Sequence, residues 1–188
     1  MVGMRVIAGK YKSRRLAAVD GMATRPTSDR LRETLFNVVA AGVEESVWLD
    51  VFAGTGAVGI EALSRGARSV YFVESGAKAA RVIRRNLAEL GIEDGAEVIE
   101  RDAATALRML DAQAVLADFC FVDPPYRKAG EYEEVLGFLG QSRVLGKESV
   151  VLAEHDTHFD PGEEFGALRR TRKLQQGDAV LSFYQLKS

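Results

Sequence analysis

The sequence Asp-Pro-Pro-Tyr at residues 123–126 directly follows the apolar run FCFV. Each proline fixes its φ near −65° and lacks a backbone N–H, so the turn keeps the Pro124 carbonyl in one orientation. The Asp123 carboxylate and this carbonyl can accept the two hydrogens of an amino group on a planar ring, while Tyr126 stacks on that ring. Such an amine is a weak nucleophile, so the expected catalysis is mostly orientation of its lone pair toward an electrophile. The predicted catalytic residues are Asp123, Pro124, Pro125 and Tyr126.

A glycine-rich loop follows an earlier apolar strand in the stretch LDVFAGTGAVGIEAL. Gly54, Gly56 and Gly59 fit the spacing G-x-G-x-x-G, which lets the backbone approach a ligand at the start of a helix. Asp50, four residues before the first glycine, would repel a pyrophosphate but would attract an ammonium group. S-adenosylmethionine carries an ammonium group and no phosphate, so it is the predicted cofactor. The loop residues predicted to contact it are Phe52, Ala53, Gly54, Thr55 and Gly56.

Two further acids end the next two predicted strands. Glu74 closes the strand YFVE, where it can accept hydrogen bonds from both hydroxyls of a ribose. Asp102 follows the third strand, where its carboxylate would accept from an adenine amino group and the Ala103 N–H would face a ring nitrogen. Ligands of open parallel sheets bind at the carboxyl ends of the strands. Asp50, Glu74 and Asp102 are therefore expected to bind the amino-acid, ribose and base parts of one ligand.

These residues require a sheet whose strands all end at one edge. From Val47 onward, short β-type segments alternate with helical segments, the pattern of a parallel sheet covered by helices on both faces. The predicted fold class is therefore α/β, with a Rossmann-like, mostly parallel sheet. The predicted strands are VWLDVF, SVYFVE, AEVIER, DFCFVD and ESVVLAEH, and the predicted helices lie near residues 57–65, 76–90, 103–110 and 131–140.

The two ends of the chain lie outside this alternation. LRRTRKLQQGDAVLSFYQLK predicts two strands joined at Gln176-Gly177-Asp178, an antiparallel hairpin added to the sheet. RVIAGKYKSRRLAAV predicts a small β-hairpin, and TSDRLRETLFNVV predicts a helix capped by Thr27 or Ser28. We expect a single domain over residues 1–188, in which a basic N-terminal extension (1–40) precedes a cofactor-binding catalytic core (41–188).

Charge is distributed unevenly along the chain. Residues 1–32 contain eight basic and two acidic residues, whereas the remainder carries a net charge of −8, for −2 overall. A basic segment on an acidic body indicates an anionic partner, most commonly nucleic acid, although a solvated charged edge has the same pattern. The 188 residues leave no room for a separate substrate domain, and no apolar run reaches the roughly 20 residues of a membrane-spanning helix. The single cysteine, Cys120, is expected to pack in the core.

The chain resembles the RsmD-type family of class I methyltransferases over about residues 4–186. The motifs that carry the resemblance are RVIAGKYKSRRL, TRPTSDRLRETLFNVV, LDVFAGTGAVGIEALSRGA, FVE, DPPY and SFYQ, in that order. RPTSDRLRETLFN is the most specific, because methyltransferases in general share the glycine loop but not this helix. The resemblance implies methyl transfer from S-adenosylmethionine to the exocyclic N2 amino group of a guanine in 16S ribosomal RNA, without a metal. It assigns the cofactor to Asp50, Gly54, Gly56, Glu74 and Asp102, and the target guanine to residues 123–126.

The same resemblance places the segment before the N-terminal helix at the border of the cofactor and RNA cleft. Arg127 follows the catalytic turn directly and is expected to contact a phosphate. Whether the basic residues among 169–173 extend the RNA surface or only solubilise an edge strand is left open. The residues predicted to contact RNA are Arg5, Lys10, Lys12, Arg14, Arg15, Arg25, Thr27, Arg30 and Arg127.

Other functions share some of these features. An adenine-N6 or other amino-methyltransferase acting on DNA or a different RNA has the same turn, but the DNA enzymes usually carry an inserted recognition region. A ribosome-associated RNA-binding protein without activity would not need Asp50, Glu74 and Asp123, and a nicotinamide enzyme would need a substrate domain. His155 and His158 have a metal-like spacing but no partner cluster, and both are expected at the surface. We expect a monomeric cytoplasmic enzyme that acts on ribosomal RNA within a small-subunit particle and binds no membrane.

Overall fold

The computed structural model describes residues 4–19, 28–125 and 129–187. Within them, helices cover both faces of one eight-stranded sheet. The helices are α1 (Asp29–Val39), α2 (Ala57–Ser64), α3 (Ala77–Leu90), α4 (Ala103–Ala112) and α5 (Ala129–Leu139). The strands are β1 (Val47–Val51), β2 (Ser69–Val73), β3 (Ala96–Ile99), β4 (Ala117–Val122), β5 (Leu145–Asp156), β6 (Glu164–Phe165), β7 (Leu168–Gln176) and β8 (Ala179–Leu186).

The strands follow the order β3-β2-β1-β4-β5-β8-β7-β6. The first five are parallel, and β8, β7 and β6 pair antiparallel. After β3 the chain returns to β4 on the other side of β1, so the strand order reverses between β1 and β4. Such a switch point opens a crevice at the carboxyl ends of the strands. The predicted mostly parallel sheet with a C-terminal antiparallel hairpin is confirmed, and the short strand β6 was not predicted.

Alternate residues of the central strands enter two separate cores. Trp48 of β1 and Phe119 of β4 pack with α1, α2 and α3 on the side called here the α1 face. Leu49 and Cys120 pack with α4 and α5 on the opposite side, the α4 face. Burial on both sides explains why these strands are nearly continuous apolar runs. The predicted core position of Cys120 is confirmed.

Residues 4–19, called here the arm, fold back on themselves over the α1 face. One antiparallel bridge joins Arg5 to Arg15, and the N–H groups of Val6 and Leu16 donate to the carbonyls of Arg14 and Met4, both at 2.9 Å, which forms the small two-stranded unit that the sequence predicts. The fully buried Glu61 of α2 accepts hydrogen bonds from the N–H groups of Ile7 and Ala8, at 2.8 and 3.0 Å. The arm is thus fixed to the body through its backbone, which leaves its basic side chains directed outward.

A second buried polar side chain fastens the returning half of the arm. Asn86 of α3 accepts from the Ala17 N–H at 2.7 Å, and its amide nitrogen donates to the carbonyls of Ala17 and Thr55, at 3.2 and 3.1 Å. Nearby, Arg14 donates to the carbonyl of Glu89 at 2.8 Å. Asn86 therefore joins the arm, α3 and the glycine loop in one network.

Helix α1 begins at a side-chain cap and is tied to the arm by a buried arginine. The Ser28 hydroxyl accepts from the Leu31 N–H at 3.1 Å, as expected for one of the two candidate caps. Arg32 is fully buried and donates to the Arg5 carbonyl at 2.6 Å and to Asp29 at 2.8 Å. Burial lowers the pKa of Arg32, while the charges of Asp29 and Glu61 oppose that effect. Arg32 thus adds nothing to the basic surface.

The expected surface position is wrong for His155 and correct for His158. His155 is buried on β5, with Nδ1 2.7 Å from the Phe159 carbonyl and Nε2 2.9 Å from the Ser182 hydroxyl. A carbonyl can only accept, so Nδ1 carries the proton and Nε2 accepts from Ser182. Burial lowers the pKa of His155, which favours this neutral form. The predicted strand ended at this residue, whereas β5 continues to Asp156. Among the described helices, none is long and apolar enough to cross a membrane.

Candidate active site

Five acidic residues stand at or near the carboxyl ends of five neighbouring parallel strands. Asp50 lies in β1, and Glu74, Asp102 and Asp123 follow β2, β3 and β4 within three residues. Glu154 lies near the end of β5, beyond β4 in the sheet. The strand order therefore places them along one edge in the sequence Asp102, Glu74, Asp50, Asp123, Glu154, with the switch point between Asp50 and Asp123.

Asp50 is the most deeply buried of these acids, with 2% of its surface exposed. Its carboxylate accepts a hydrogen bond from the Gly59 N–H, in the first turn of α2, at 2.9 Å. Burial raises the pKa of Asp50 to about 7; the Gly59 hydrogen bond opposes the rise and the charge of Glu74 adds to it. A carboxylate in this state gains a large interaction when a cationic ligand replaces its proton. Such behaviour fits the predicted contact with an ammonium group.

The loop between β1 and α2 requires the glycines at their observed places. Gly54 and Gly56 have φ values of 57° and 77°, and Phe52 adopts a left-handed φ of 65° as well. A Cβ on Gly59 would lie 2.3 Å from the ring of Phe72, so glycine here lets α2 pack closely on β2. Ala53, in the same loop, donates its N–H to the Val73 carbonyl at 3.0 Å. These contacts hold the loop against the end of β2.

Glu74 supports the same loop from the neighbouring strand. Its two carboxylate oxygens accept from the N–H groups of Gly54, at 2.9 Å, and Gly76, at 2.7 Å. Thr55 extends the connection toward the arm, since its hydroxyl lies 3.3 Å from the sulfur of Met4. The structure therefore brings Asp50, the glycine loop and Glu74 together.

Asp102 lies at the outer end of this row, as the N-cap of α4. Its carboxylate accepts from the Thr105 N–H at 2.9 Å, and this backbone hydrogen bond lowers its pKa. Ala103 is the first residue of α4, a position whose N–H has no partner within the helix. Asp102 thus has a structural task that the sequence prediction did not assign, beside the predicted contact with a base.

Asp123 begins the turn on the other side of the switch point. Its backbone N–H continues the pairing of β4 with β1 by donating to the Val51 carbonyl at 3.3 Å. Burial raises the pKa of its carboxyl well above the usual value, and the charges of Glu154 and Asp50 add to the rise. Pro124 is buried and Pro125 is exposed. Tyr126 and Arg127 lie outside the described residues, so their predicted roles remain predictions.

Glu154 was not predicted as a site residue. On its strand, Val150 and Leu152 point to the α1 face, and the alternation directs Glu154 to the same face. Val122 and Ala153 are paired between β4 and β5, so the next residue of each strand, Asp123 and Glu154, stand side by side. The signal in the sequence was an acid at the end of a fifth strand, but only the register shows which residue it adjoins.

The basic residues of the arm are exposed, but they do not all lie near this edge. The arm starts beside Thr55 at the carboxyl edge, whereas Lys10 at its tip donates its N–H to the Ser64 carbonyl at the far end of α2. Helix α2 has eight residues, which corresponds to about 12 Å. Arg25 and Thr27 lie outside the described residues. The exposed members of the predicted RNA set are Arg5, Lys10, Lys12, Arg14, Arg15 and Arg30.

Within the described part of the chain, no group of three or more His, Cys, Asp or Glu side chains is arranged to hold a metal ion.

Comparison with known proteins identifies close relatives of the whole chain. A family model described as Conserved hypothetical protein 95 matches residues 4–185. The Bacillus subtilis protein YlbH is 36% identical over 97% of this chain and 98% of its own length. The Escherichia coli protein named ribosomal RNA small subunit methyltransferase D is 35% identical over 81% of this chain and 75% of its own length.

Solved structures of other proteins have the same fold as this chain. The Escherichia coli protein yhhF superimposes with a TM-score of 0.84 at 31% identity, covering 98% of each chain. A more distant structure, SMU.776, was solved in complex with S-adenosylhomocysteine and has a TM-score of 0.66 at 13% identity, over 84% of this chain and 48% of that one. The second likeness concerns the fold alone.

Proposed function

This chain belongs to the Conserved hypothetical protein 95 family, and on that premise we propose that it methylates small-subunit ribosomal RNA. In this proposal the methyl group comes from S-adenosylmethionine and the acceptor is the exocyclic N2 amino group of a guanine. The name of the Escherichia coli relative supports the substrate class. The enzyme would act as a monomer and a single domain in the cytoplasm, on a small-subunit particle.

The observation that carries the proposal is the position of Asp123 directly across the switch point from the glycine loop. Asp50 pairs with Phe121 in the register of β1 and β4, two residues before Asp123. Neighbouring strands are about 4.8 Å apart, so a ligand on the loop and a ligand on the Asp-Pro-Pro turn would lie within reach of each other. Group transfer between two bound molecules needs this adjacency.

Asp50, Glu74 and the loop between them would hold the cofactor, which supplies an electrophilic methyl group on a sulfonium. The buried Asp50 carboxylate would bind the ammonium group, and the oxygens of Glu74 would accept from the ribose hydroxyls. Asp102 and the Ala103 N–H would bind the adenine. The residues fit this molecule because each of its parts that bears hydrogen-bond donors could be matched with an acid that follows or ends a separate strand.

Asp123 and the carbonyl of Pro124 would hold the target amine by accepting its two hydrogens. An amine held in this way would have its nitrogen lone pair pointing away from both acceptors, and we propose that it is aimed at the methyl group of the cofactor. After transfer the amine carries one proton in excess, which Asp123 or water can take up. The raised pKa of Asp123 suits a group that takes up a proton.

The transfer is tested by incubating the protein with small ribosomal subunits and S-adenosylmethionine labelled in its methyl group. We expect the label in N2-methylguanosine when the ribosomal RNA is digested to nucleosides and separated by mass spectrometry. Label in N6-methyladenosine would replace the guanine assignment by the adenine alternative. Absence of label from bare RNA and from subunits alike would contradict the activity.

The RNA contact of the arm is tested by changing its charge without removing it. Glu61 and Asn86 depend on the arm backbone for hydrogen bonds, so a deletion would disturb the fold as well. The double variant Lys12→Glu/Arg15→Glu should weaken RNA binding and reduce the salt dependence by about 0.7–0.9 per lost phosphate contact. The matched control is Arg108→Glu/Lys147→Glu, which changes exposed residues outside the arm by the same charge. Equal salt slopes in the two variants would contradict an RNA-binding arm.

A further inference from the structure

Glu154 is a carboxylate at the candidate site for which the proposed transfer has no use. It follows Ala153, which pairs with Val122, and it therefore neighbours Asp123 across the strand pair. Both acids continue the alternation that faces the α1 side, where Phe121 and Leu152 precede them. The Tyr132 hydroxyl donates to the Glu154 carbonyl and fixes the backbone of β5 at this point.

The two acids affect each other electrostatically. After burial, the charge of Glu154 is the largest cause of the raised pKa of Asp123, and the charge of Asp50 is smaller. Two neighbouring carboxylates of this kind are stabilised by a ligand that offers several N–H donors in one plane. The described residues donate no hydrogen bond to the Asp123 carboxylate, and the edge of a base is one source of such donors.

Purine bases differ in the donors on the edge that carries the amino group. Guanine presents N1–H beside its N2 amino group, a row of three hydrogens. Adenine presents only the two hydrogens of N6 beside N1, which is an acceptor with a lone pair. If Asp123 and the Pro124 carbonyl take the amino hydrogens, an adjacent carboxylate would attract N1–H of guanine and repel N1 of adenine.

We propose that Glu154 is a specificity residue that accepts the N1–H of the target guanine. This assignment rests on the proposed function and gives a physical reason for the choice of base, which the Asp-Pro-Pro turn alone does not provide. The row of acids along the edge then continues past the acceptor amine, with Asp123 at the reacting nitrogen and Glu154 at the next ring position. The side of the base that is read would be the one that pairs in RNA, so the base has to leave its pair first.

The test separates base recognition from the transfer itself. The labelled guanosine is first mapped with the wild-type protein and small subunits. Subunits are then reconstituted with either guanosine or 2-aminopurine riboside at that nucleotide, since 2-aminopurine keeps the N2 amine but has an acceptor at N1. The measured quantity is the ratio of kcat/KM for guanosine to kcat/KM for 2-aminopurine.

We expect the wild-type protein to prefer guanosine by about tenfold or more, the discrimination typical of one hydrogen bond to a base edge. Glu154→Gln should reduce this preference at least about tenfold, because its amide N–H can donate to N1 of 2-aminopurine. The matched control is Glu148→Gln, which changes an exposed acid on the same strand and should keep the wild-type ratio. Affinity for S-adenosylmethionine and the melting temperature establish that each variant is folded.

Two outcomes would overturn the assignment while leaving the proposed function intact. The first is equal methylation of guanosine and 2-aminopurine by the wild-type protein, which requires no variant at all. The second is an unchanged preference in a folded Glu154→Gln variant. A wild-type protein that labels no guanine in the first step would instead contradict the proposed function.

Discussion

The two halves of the candidate site use the same kind of side chain in different ways. On the half proposed to bind the cofactor, formed by β1, β2 and β3 and called here the cofactor half, each acid accepts backbone N–H groups of the protein: Asp50 from Gly59, Glu74 from Gly54 and Gly76, and Asp102 from Thr105. On the half proposed to bind the substrate, formed by β4 and β5 and called here the substrate half, the Asp123 carboxylate receives no such bond from the described residues, and Glu154 raises its pKa further.

The acids of the two halves therefore have different roles: those of the cofactor half stabilise the local backbone, whereas Asp123 is available to a ligand. The acids of the cofactor half hold the glycine loop and the start of α4 in place, so they contribute to the fold before any ligand binds. Among the described residues, none donates to the Asp123 carboxyl, and burial raises its pKa, so its ionised form is unfavourable in the folded protein. A group with a pKa shifted by burial and by neighbouring charges, next to a crevice, is a candidate for contact with a substrate.

Replacing Asp123 by alanine should produce the largest difference between the two halves, measured as a loss of kcat with little change in cofactor affinity. We expect kcat to fall about 10²–10³-fold, the usual effect of removing one oriented polar group from a transition state. Affinity for S-adenosylmethionine should change less than about twofold. Both are measured with labelled cofactor, by single-turnover transfer and by equilibrium binding.

The same variant makes a prediction for stability. Because the pKa of Asp123 is raised in the folded state, its contribution to stability falls as the pH rises from the unfolded value, about 3.9, through the folded value. Asp123→Ala should therefore melt at the same or a higher temperature than the wild-type protein at pH about 8.

For the kinetic prediction, a loss of cofactor affinity as large as the loss of kcat would show that Asp123 also supports the cofactor half.

The next largest expected effect is the dependence of cofactor affinity on pH. Asp50, with a pKa of about 7, must lose its proton before it binds an ammonium group. Affinity for S-adenosylmethionine should therefore fall about tenfold for each pH unit below about 7, and again above about 8, where the cofactor's own amino group loses its proton. Isothermal titration calorimetry over this range measures the profile.

Asp50→Asn is the control for this profile. The asparagine oxygen can still accept from Gly59, so the loop keeps its anchor, but the carboxylate is gone. The variant should bind the cofactor weakly and with no dependence on pH below about 7. An equally steep profile in the variant would assign the titration to a group other than Asp50.

The smallest effect is expected at the outer end of the cofactor half. Asp102→Ala removes the N-cap of α4 and should lower the free energy of unfolding by about 1 kcal/mol, whereas Asp102→Ser keeps a capping oxygen and should lower it by less. Both variants lack the carboxylate predicted to bind adenine, so both should weaken cofactor binding. Denaturant unfolding and cofactor titration on the two variants distinguish the capping task from the binding task.

The sequence predicted the row of acids as far as Asp123 because each acid ends an apolar run that is short enough to be a strand. The local sequence pattern does not show which residues of two neighbouring strands are paired. The position of Glu154 beside Asp123 follows from the pairing of Val122 with Ala153. The same limit explains His155, whose burial depends on Ser182 of a strand that lies 27 positions later.

The N-terminal segment shows a similar limit. Its charge is visible in the sequence, but no local pattern distinguishes Glu61 and Asn86 from other polar residues of predicted helices. Their burial follows from the arm lying over them, a contact between distant parts of the chain. Arg32 is one of the eight basic residues counted in residues 1–32, but it lies between α1 and the arm and is buried.

The docking of the arm has a consequence for synthesis on the ribosome. Ile7 bonds to a residue 54 positions later, and Arg14 to one 75 positions later. At about 5–20 residues per second, roughly 3–15 s pass between the synthesis of the arm and the synthesis of the residues that it binds. During that interval a nascent chain presents an undocked basic segment next to ribosomal RNA, the same kind of polymer that the finished protein is proposed to bind.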